Sequence, residues 1–158
     1  ETEVNERKLR VEDAINAARA AVQEGVIAGG GSALVQIAKE LESYAEQFAG
    51  EQKVGVLAVA RALRKPAYWI ADNAGLDGSV VVSKIAEMNN DEGFNAATLE
   101  YGNLVEQGII DPVKVTHSAV VNATSIARMV LTTEASVVTK PAEEDEAAGA
   151  AGHAGHAH

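Results

Sequence analysis

A chain of 158 residues fits one ordinary domain, large enough to bury roughly two-thirds of the surface its unfolded form exposes, so it needs no disulfide or metal staple. Zero cysteines rule out disulfides, thiolate catalysis and Cys-liganded zinc, and no apolar run approaches the roughly 20 residues of a spanning helix, which predicts a cytoplasmic protein with no membrane partner. A net charge of −10 argues against sequence-independent nucleic-acid binding, and with only 4% aromatic residues the core must come from Ala, Val, Ile and Leu, which favours close helix packing.

The chain starts at "ETEVNERKLR", with neither an initiator methionine nor a signal-peptide hydrophobic region, and this predicts a cut inside something longer. From Arg10 to Glu24 the apolar residues Val11, Ala14, Ile15, Ala18 and Val22 recur at three- and four-residue intervals, one stripe of an amphipathic helix that Gly25 ends. A second helix begins at Gly29–Gly31 with Ser32 near its cap, carrying Leu34, Ile37, Ala38, Leu41, Ala45 and Phe48 on the same period. "GEQKVGVLAVARALRKPAYWIADNAG" reads as a third, more apolar helix that kinks or restarts at Pro66, and "DGSVVVSKIAEM" as a short fourth one after the Asp77-Gly78 turn. Residues 89–111 mix Gly, Asn and Asp with short apolar pieces, predicting loops, a little strand around Phe94 and one short helix.

Asp111 as N-cap and Pro112 at the first helical position mark the start of a long helix that is apolar nearly all round, with Val113, Val120, Ile126, Val130 and Leu131, and that is expected to be the central buried helix. "EASVVTKP" follows as a Val-rich strand candidate ended by Pro141; it has no mate here, so its partner should lie in a missing part of the protein or a neighbouring subunit. Residues 142–158, with four acids in a row and then His153, His156 and His158 among small residues, cannot build a core and should be disordered.

Three glycines in a row between helix formers need a reason, since glycine loses most freedom on folding. They form neither a phosphate-binding loop, lacking the Lys-Ser or Lys-Thr, nor a dinucleotide fingerprint; they are either a flexible connection with a cap, or bare backbone that a ligand approaches at a helix start. Asp13, off the apolar stripe, is a solvated carboxylate or one that orients a water or helps hold a metal, for which the segment supplies no partner. Asp111 reads as a cap that can also face a ligand, Asn95, Ala96 and Ala97 suit a flat ring lying against backbone, and His117 reads as a surface or interface histidine. The tail histidines could bind a divalent transition metal weakly, but no second shell surrounds them. No Ser-His-Asp set, paired catalytic carboxylates or basic aromatic patch stands out.

Taken in order, "RVEDAINAARAAVQEGVIAGGGSAL", "GFNAATLEYGNLVEQGIIDPVKVTHSA" and "LTTEASVV" closely resemble the C-terminal part of bacterial GroEL-type (group I) chaperonins, over residues 2–141. The resemblance implies a mainly α fold: an intermediate-domain helix over residues 1–24, then the C-terminal half of the equatorial ATP-binding domain over 25–141, a helical bundle with small strand elements near 94–97 and 135–139, then the tail over 142–158. It implies an ATP-dependent folding machine, a chaperonin ATPase that encloses and refolds non-native proteins, built as a homo-oligomeric double seven-membered ring with a GroES-type co-chaperonin.

Residue by residue, the resemblance matches Gly30 to the backbone lying against the nucleotide, Asn95, Ala96 and Ala97 to the adenine-side contacts, and Ile109 to an apolar wall beside the base. Asp111 matches the carboxylate on the ribose hydroxyls, Asp13 the catalytic aspartate that swings in to promote hydrolysis, and Gly25 the hinge. Mg2+ and K+ are implied as well as ATP and ADP, but their principal ligands, the phosphate loop and the apical domain belong to portions absent from this chain, so the fragment alone should have no meaningful ATPase or folding activity. Tyr68 and Trp69 stand where the family uses a charged or polar pair between rings, and Gly-His-Ala units replace a common Gly-Gly-Met tail. Two other readings compete: an inactive helical module that self-associates through faces made for the missing half, and a His-tail metal binder.

Overall fold

A computed structural model describes residues 1–139; the acidic, histidine-containing tail lies outside the described residues. The helices are α1 (Thr2–Glu24), α2 (Ser32–Ala45), α3 (Gly50–Leu63), α4 (Lys65–Asn73), α5 (Gly78–Ala86) and α6 (Val113–Thr132), interleaved with short strands β1 (Val26–Ala28), β2 (Glu92–Asn95), β3 (Glu100–Asn103) and β4 (Ile110–Pro112). The fold is therefore mainly α, as expected. The chain divides into two units at Ala123, the first running from Glu1 to Ala123 and the second beginning at Thr124. Among the described residues no helix is long and apolar enough to cross a membrane.

In the first unit the main core is Val35 from α2, Ala67 and Ala71 from α4, Val81, Val82 and Ile85 from α5, and Phe94 from β2; Ala38, Ala60 and Leu63 join α2 to α3 in a second cluster. Small residues dominate, and they let the helices approach closely. Pro66 restarts the helix at α4, whose first turn lacks partners for its N–H groups in any case. Asp77 caps α5 by accepting from the N–H groups of Ser79 at 2.8 Å and Val80 at 3.3 Å. At the other end of α5, Gln36 Nε2 donates to the carbonyls of Ile85 at 2.7 Å and Met88 at 3.1 Å, tying α2 to the segment that enters β2.

β2 and β3 form an antiparallel hairpin with Phe94 opposite Tyr101, and Lys84 of α5 lies 3.6 Å from the Tyr101 ring centroid, seating the hairpin on the core. β1 pairs antiparallel with β4, placing Ile27 opposite Asp111 and Ala28 opposite Ile110.

Several expectations are corrected. α6 is not a central buried helix: it has no fully buried residue, Val121, Ile126, Val130 and Leu131 are exposed, and Val120 packs partly buried against the Ala38, Ala60 and Leu63 cluster; an apolar helix becomes central only where elements surround it on every side. Asp111 is not the cap of α6, because pairing with β1 holds it in extended backbone two residues before the helix begins at Val113. Residues 135–139 form no strand; Val137 and Val138 stand open, and extended backbone without a partner edge gains no hydrogen-bond ladder. Within residues 89–111 a turn at 104–108, closed by Ile109 N–H donating to Leu104 O at 2.8 Å, stands where a short helix was expected.

Candidate functional site

The β1–β4 pairing continues past its last strand residue, since the Gly29 N–H donates to the Ile109 carbonyl at 2.9 Å. This ladder draws the glycine triplet against Ile109 and Asp111, which lie about eighty residues later in the chain. The three glycines then do different things. A Cβ on Gly29 would stand 3.2 Å from the Ile109 carbonyl, and one on Gly31 would stand 2.7 Å from the Ala67 nitrogen, so both permit close packing. Gly30, at φ +62, would meet only the Phe94 carbonyl, at an ordinary 3.6 Å; its open side faces a cavity.

That cavity, about 350 Å³, is bounded by Ala28, Gly30 and Gly31, by Pro66 and Ile70 of α4, by Asp111, and by Val115 and Thr116 of α6. Asp111 is the charged side chain in a mostly apolar wall, and burial raises its carboxyl from the ordinary value. A partly buried carboxylate beside apolar walls can accept hydrogen bonds from a ligand's hydroxyl or amine groups. The lining holds no Lys or Arg to neutralise a polyphosphate, and no cluster of three or more metal-ligating side chains occurs among the described residues.

The hairpin tip stands next to this cavity, because Phe94, whose carbonyl faces Gly30, precedes Asn95. Ala96 packs partly buried against the main core, and Ala97 is exposed. Gly30, Ile109 and Asp111 are thus brought together with the Asn95–Ala97 segment alongside. Asp13 is not among them: it sits on the exposed face of α1, roughly three helical turns before Gly25. Gly25 itself has φ 85 and ψ −169, a conformation that is essentially glycine's alone, with open space where a side chain would go.

Pro66 was read only as a helix break, and Ile70, Val115 and Thr116 were not singled out in the sequence. Each belongs to an ordinary helical pattern, so only the packing of α4 and α6 around the glycines reveals them. β1 was missed too, because three residues carry no readable period.

Comparison with known proteins agrees with this layout. The profile of the TCP-1/cpn60 chaperonin family matches residues 1–141. Chaperonin GroEL 1 of Corynebacterium glutamicum (strain R) is 78% identical over 158 residues, which is 100% of this chain and 29% of that protein. Chaperonin GroEL 1 of Mycobacterium ulcerans (strain Agy99) is 57% identical over the same span, again 29% of its length. The chain therefore spans less than a third of the curated relatives it matches. Among solved structures, a group III chaperonin in the open state superposes with TM-score 0.70 at 29% identity, over 75% of this chain and 25% of that one. The open-state monomer of a group II chaperonin from Methanococcoides burtonii gives 0.65 at 28% identity, over 68% and 28%.

Proposed function

Because the chain belongs to the TCP-1/cpn60 chaperonin family, we propose that it works as the C-terminal portion of a GroEL-type subunit and supplies one wall of an ATP site. The observation that carries this reading is the β1–β4 pairing, which sets Gly30 and Asp111 around one mostly apolar cavity. In the proposed complex the ionised Asp111 accepts hydrogen bonds from the ribose hydroxyls, Gly30 offers backbone without a side chain, and Ile109 with the Asn95–Ala97 segment flanks the adenine. The phosphates and their Mg2+ and K+ are held by the rest of the subunit, in keeping with a lining that offers no cation.

Asp13 is the proposed hydrolysis aspartate. As a carboxylate it would orient the attacking water, and rotation at Gly25 would carry it to the site; a residue without Cβ absorbs such a rotation at least cost. Turnover in turn would drive a cytoplasmic homo-oligomeric ring that, with a GroES-type co-chaperonin, encloses and refolds non-native proteins.

Calorimetric titration of MgATP tests the reading. The full-length subunit is expected to bind, Asp111→Ala to weaken binding about tenfold or more through loss of charged hydrogen-bond acceptors, and Asp13→Ala to bind normally but turn over slowly. The 158-residue chain alone should neither bind tightly nor hydrolyse. A full-length subunit that binds no nucleotide would sink the reading. A second reading, a self-associating helical module, draws on the exposed apolar residues of α6 and on an open apolar groove of about 590 Å³ lined by Ile37, Leu63, Val105, Val113 and Val120. Native mass measurement of the isolated chain separates the two, a monomer opposing the second.

A further inference from the structure

Both the oxygen and the nitrogen of the Asn95 side-chain amide are engaged within the protein. Its Oδ1 accepts from the backbone N–H of Ala97 at 2.9 Å and of Thr98 at 3.3 Å, an Asx turn that shapes the hairpin tip. Two N–H groups require an acceptor, so the orientation of the amide is determined and Nδ2 must act as donor on its other side. It donates to Gln107 Oε1 at 2.8 Å. Gln107 Nε2 then lies over the neighbouring strand at Gly102, where a Cβ would stand 2.9 Å away. Glycine at 102 leaves the lane through which the Gln107 amide reaches Asn95.

Gln107 is itself held by a structured turn. Its N–H donates to the Asn103 carbonyl at 3.3 Å, Asn103 Oδ1 accepts from the Glu106 N–H at 3.1 Å, and the Ile109 N–H donates to the carbonyl of fully buried Leu104 at 2.8 Å. Two residues after Gln107 comes Ile109, and Asp111 follows in β4. The hairpin β2–β3 and the pair β1–β4 are separate sheets, so no backbone ladder joins the Asn95 tip to β4.

We propose that Gln107 is a positioning residue for nucleotide: its hydrogen bond to Asn95 locks the Asn95–Ala97 segment to the turn that leads into Ile109 and Asp111. The proposal rests on the ATP reading above and deepens it. The Asn95 amide thus holds the tip in shape, and the two alanines that follow it are presented from a fixed turn. Without the lock the tip samples other arrangements, and binding must restore the competent one, which lowers apparent affinity without touching the chemical step.

The full-length subunit is compared as wild type, Gln107→Leu, Gln107→Glu and Gly102→Ala, by MgATP titration, steady-state turnover and amide hydrogen exchange without nucleotide. Gln107 is exposed, and the atom facing Gly102 is the free end of a flexible side chain, so these variants should fold. Gln107→Leu is expected to raise the Kd and KM for ATP about 2- to 10-fold, the range for one lost hydrogen bond, with kcat unchanged and faster exchange at Ala97 and Thr98. Gln107→Glu keeps an acceptor and should restore wild-type affinity; Gly102→Ala should fall between. A wild-type Kd in Gln107→Leu overturns the proposal whatever the exchange shows, and so does a Glu variant as weak as Leu. Failure of the wild type to bind MgATP is a separate result, seen before any variant is compared, and it overturns the ATP reading together with this one.

Discussion

α5 and α1 both carry apolar residues at helical spacing, yet α5 buries Val81, Val82 and Ile85 while α1 buries nothing between Thr2 and Glu24. Around α5 stand α2, α4 and the β2–β3 hairpin, each contributing side chains to one core. α1 meets the rest of its unit at its C-terminal end, where Gly25 leads into β1 and Lys114 reaches Gln23. Its flank is instead laced by exposed ion pairs such as Arg7–Glu3 and Arg10–Glu6, which contribute little to stability. Periodicity therefore tells which face of a helix is apolar, and neighbours decide whether that face is covered.

The sharpest way to break this comparison is truncation on both helices. Ile85 is 1% exposed and Ile15 is 46% exposed. Ile85→Ala is expected to destabilise by about 2–5 kcal/mol and Ile15→Ala by no more than about 0.5 kcal/mol, read from urea unfolding of the chain. Equal losses would show that α1 is covered in solution.

A smaller contrast opposes two glycines at positive φ. Gly31→Ala must push a Cβ into the Ala67 backbone, whereas Gly25→Ala meets only backbone strain of about 1–3 kcal/mol in open space. Thermal unfolding should place Gly31→Ala below Gly25→Ala by a further 1–3 kcal/mol or so, the usual scale of overpacking. A reversed order would mean that the α2–α4 contact is loose.

The smallest effect concerns Asp111. Below the ordinary carboxyl value of 3.8 its side chain is protonated both folded and unfolded, and burial costs no charge. As pH rises from there through the raised folded value, the folded state pays for a desolvated carboxylate, and above that window the cost is constant. Asp111→Asn should therefore gain stability relative to wild type across the window and keep the gain at neutral pH, in unfolding midpoints measured on either side of it. No pH dependence in the difference would mean that the carboxylate is well hydrated.

Much of the fold was legible because its signals are local. Gly25 ends α1, Pro66 restarts a helix, and the Asp77-Gly78 turn precedes the next, with Asp77 as its cap added by the structure. The strand at Phe94 was legible as well. Asp111 was misread because Asp-Pro before an apolar run is a cap signal in isolation, and only a strand eighty-odd residues earlier competes with it. Of the candidate site, Gly30, the Asn95–Ala97 segment, Ile109 and Asp111 could be named through family motifs, but their grouping depends on pairing between β1 and β4. Gln107 carried no signal, since a Gln in a turn is unremarkable until its amide is seen on Asn95.

Residue order alone established a mainly α chain with an Ala- and Val-rich core, its chief breakpoints, and membership of a family whose motifs run through it. Three-dimensional packing decided what those motifs amount to: which glycine of the triplet packs on strand, which on helix and which faces a cavity, and that α6 is covered only in part while Val137 and Val138 stand exposed. The division follows from range. Caps, breaks and periodicity are energies between residues a few positions apart, whereas burial, strand pairing and the desolvation of Asp111 depend on partners that the chain brings in from far along its length.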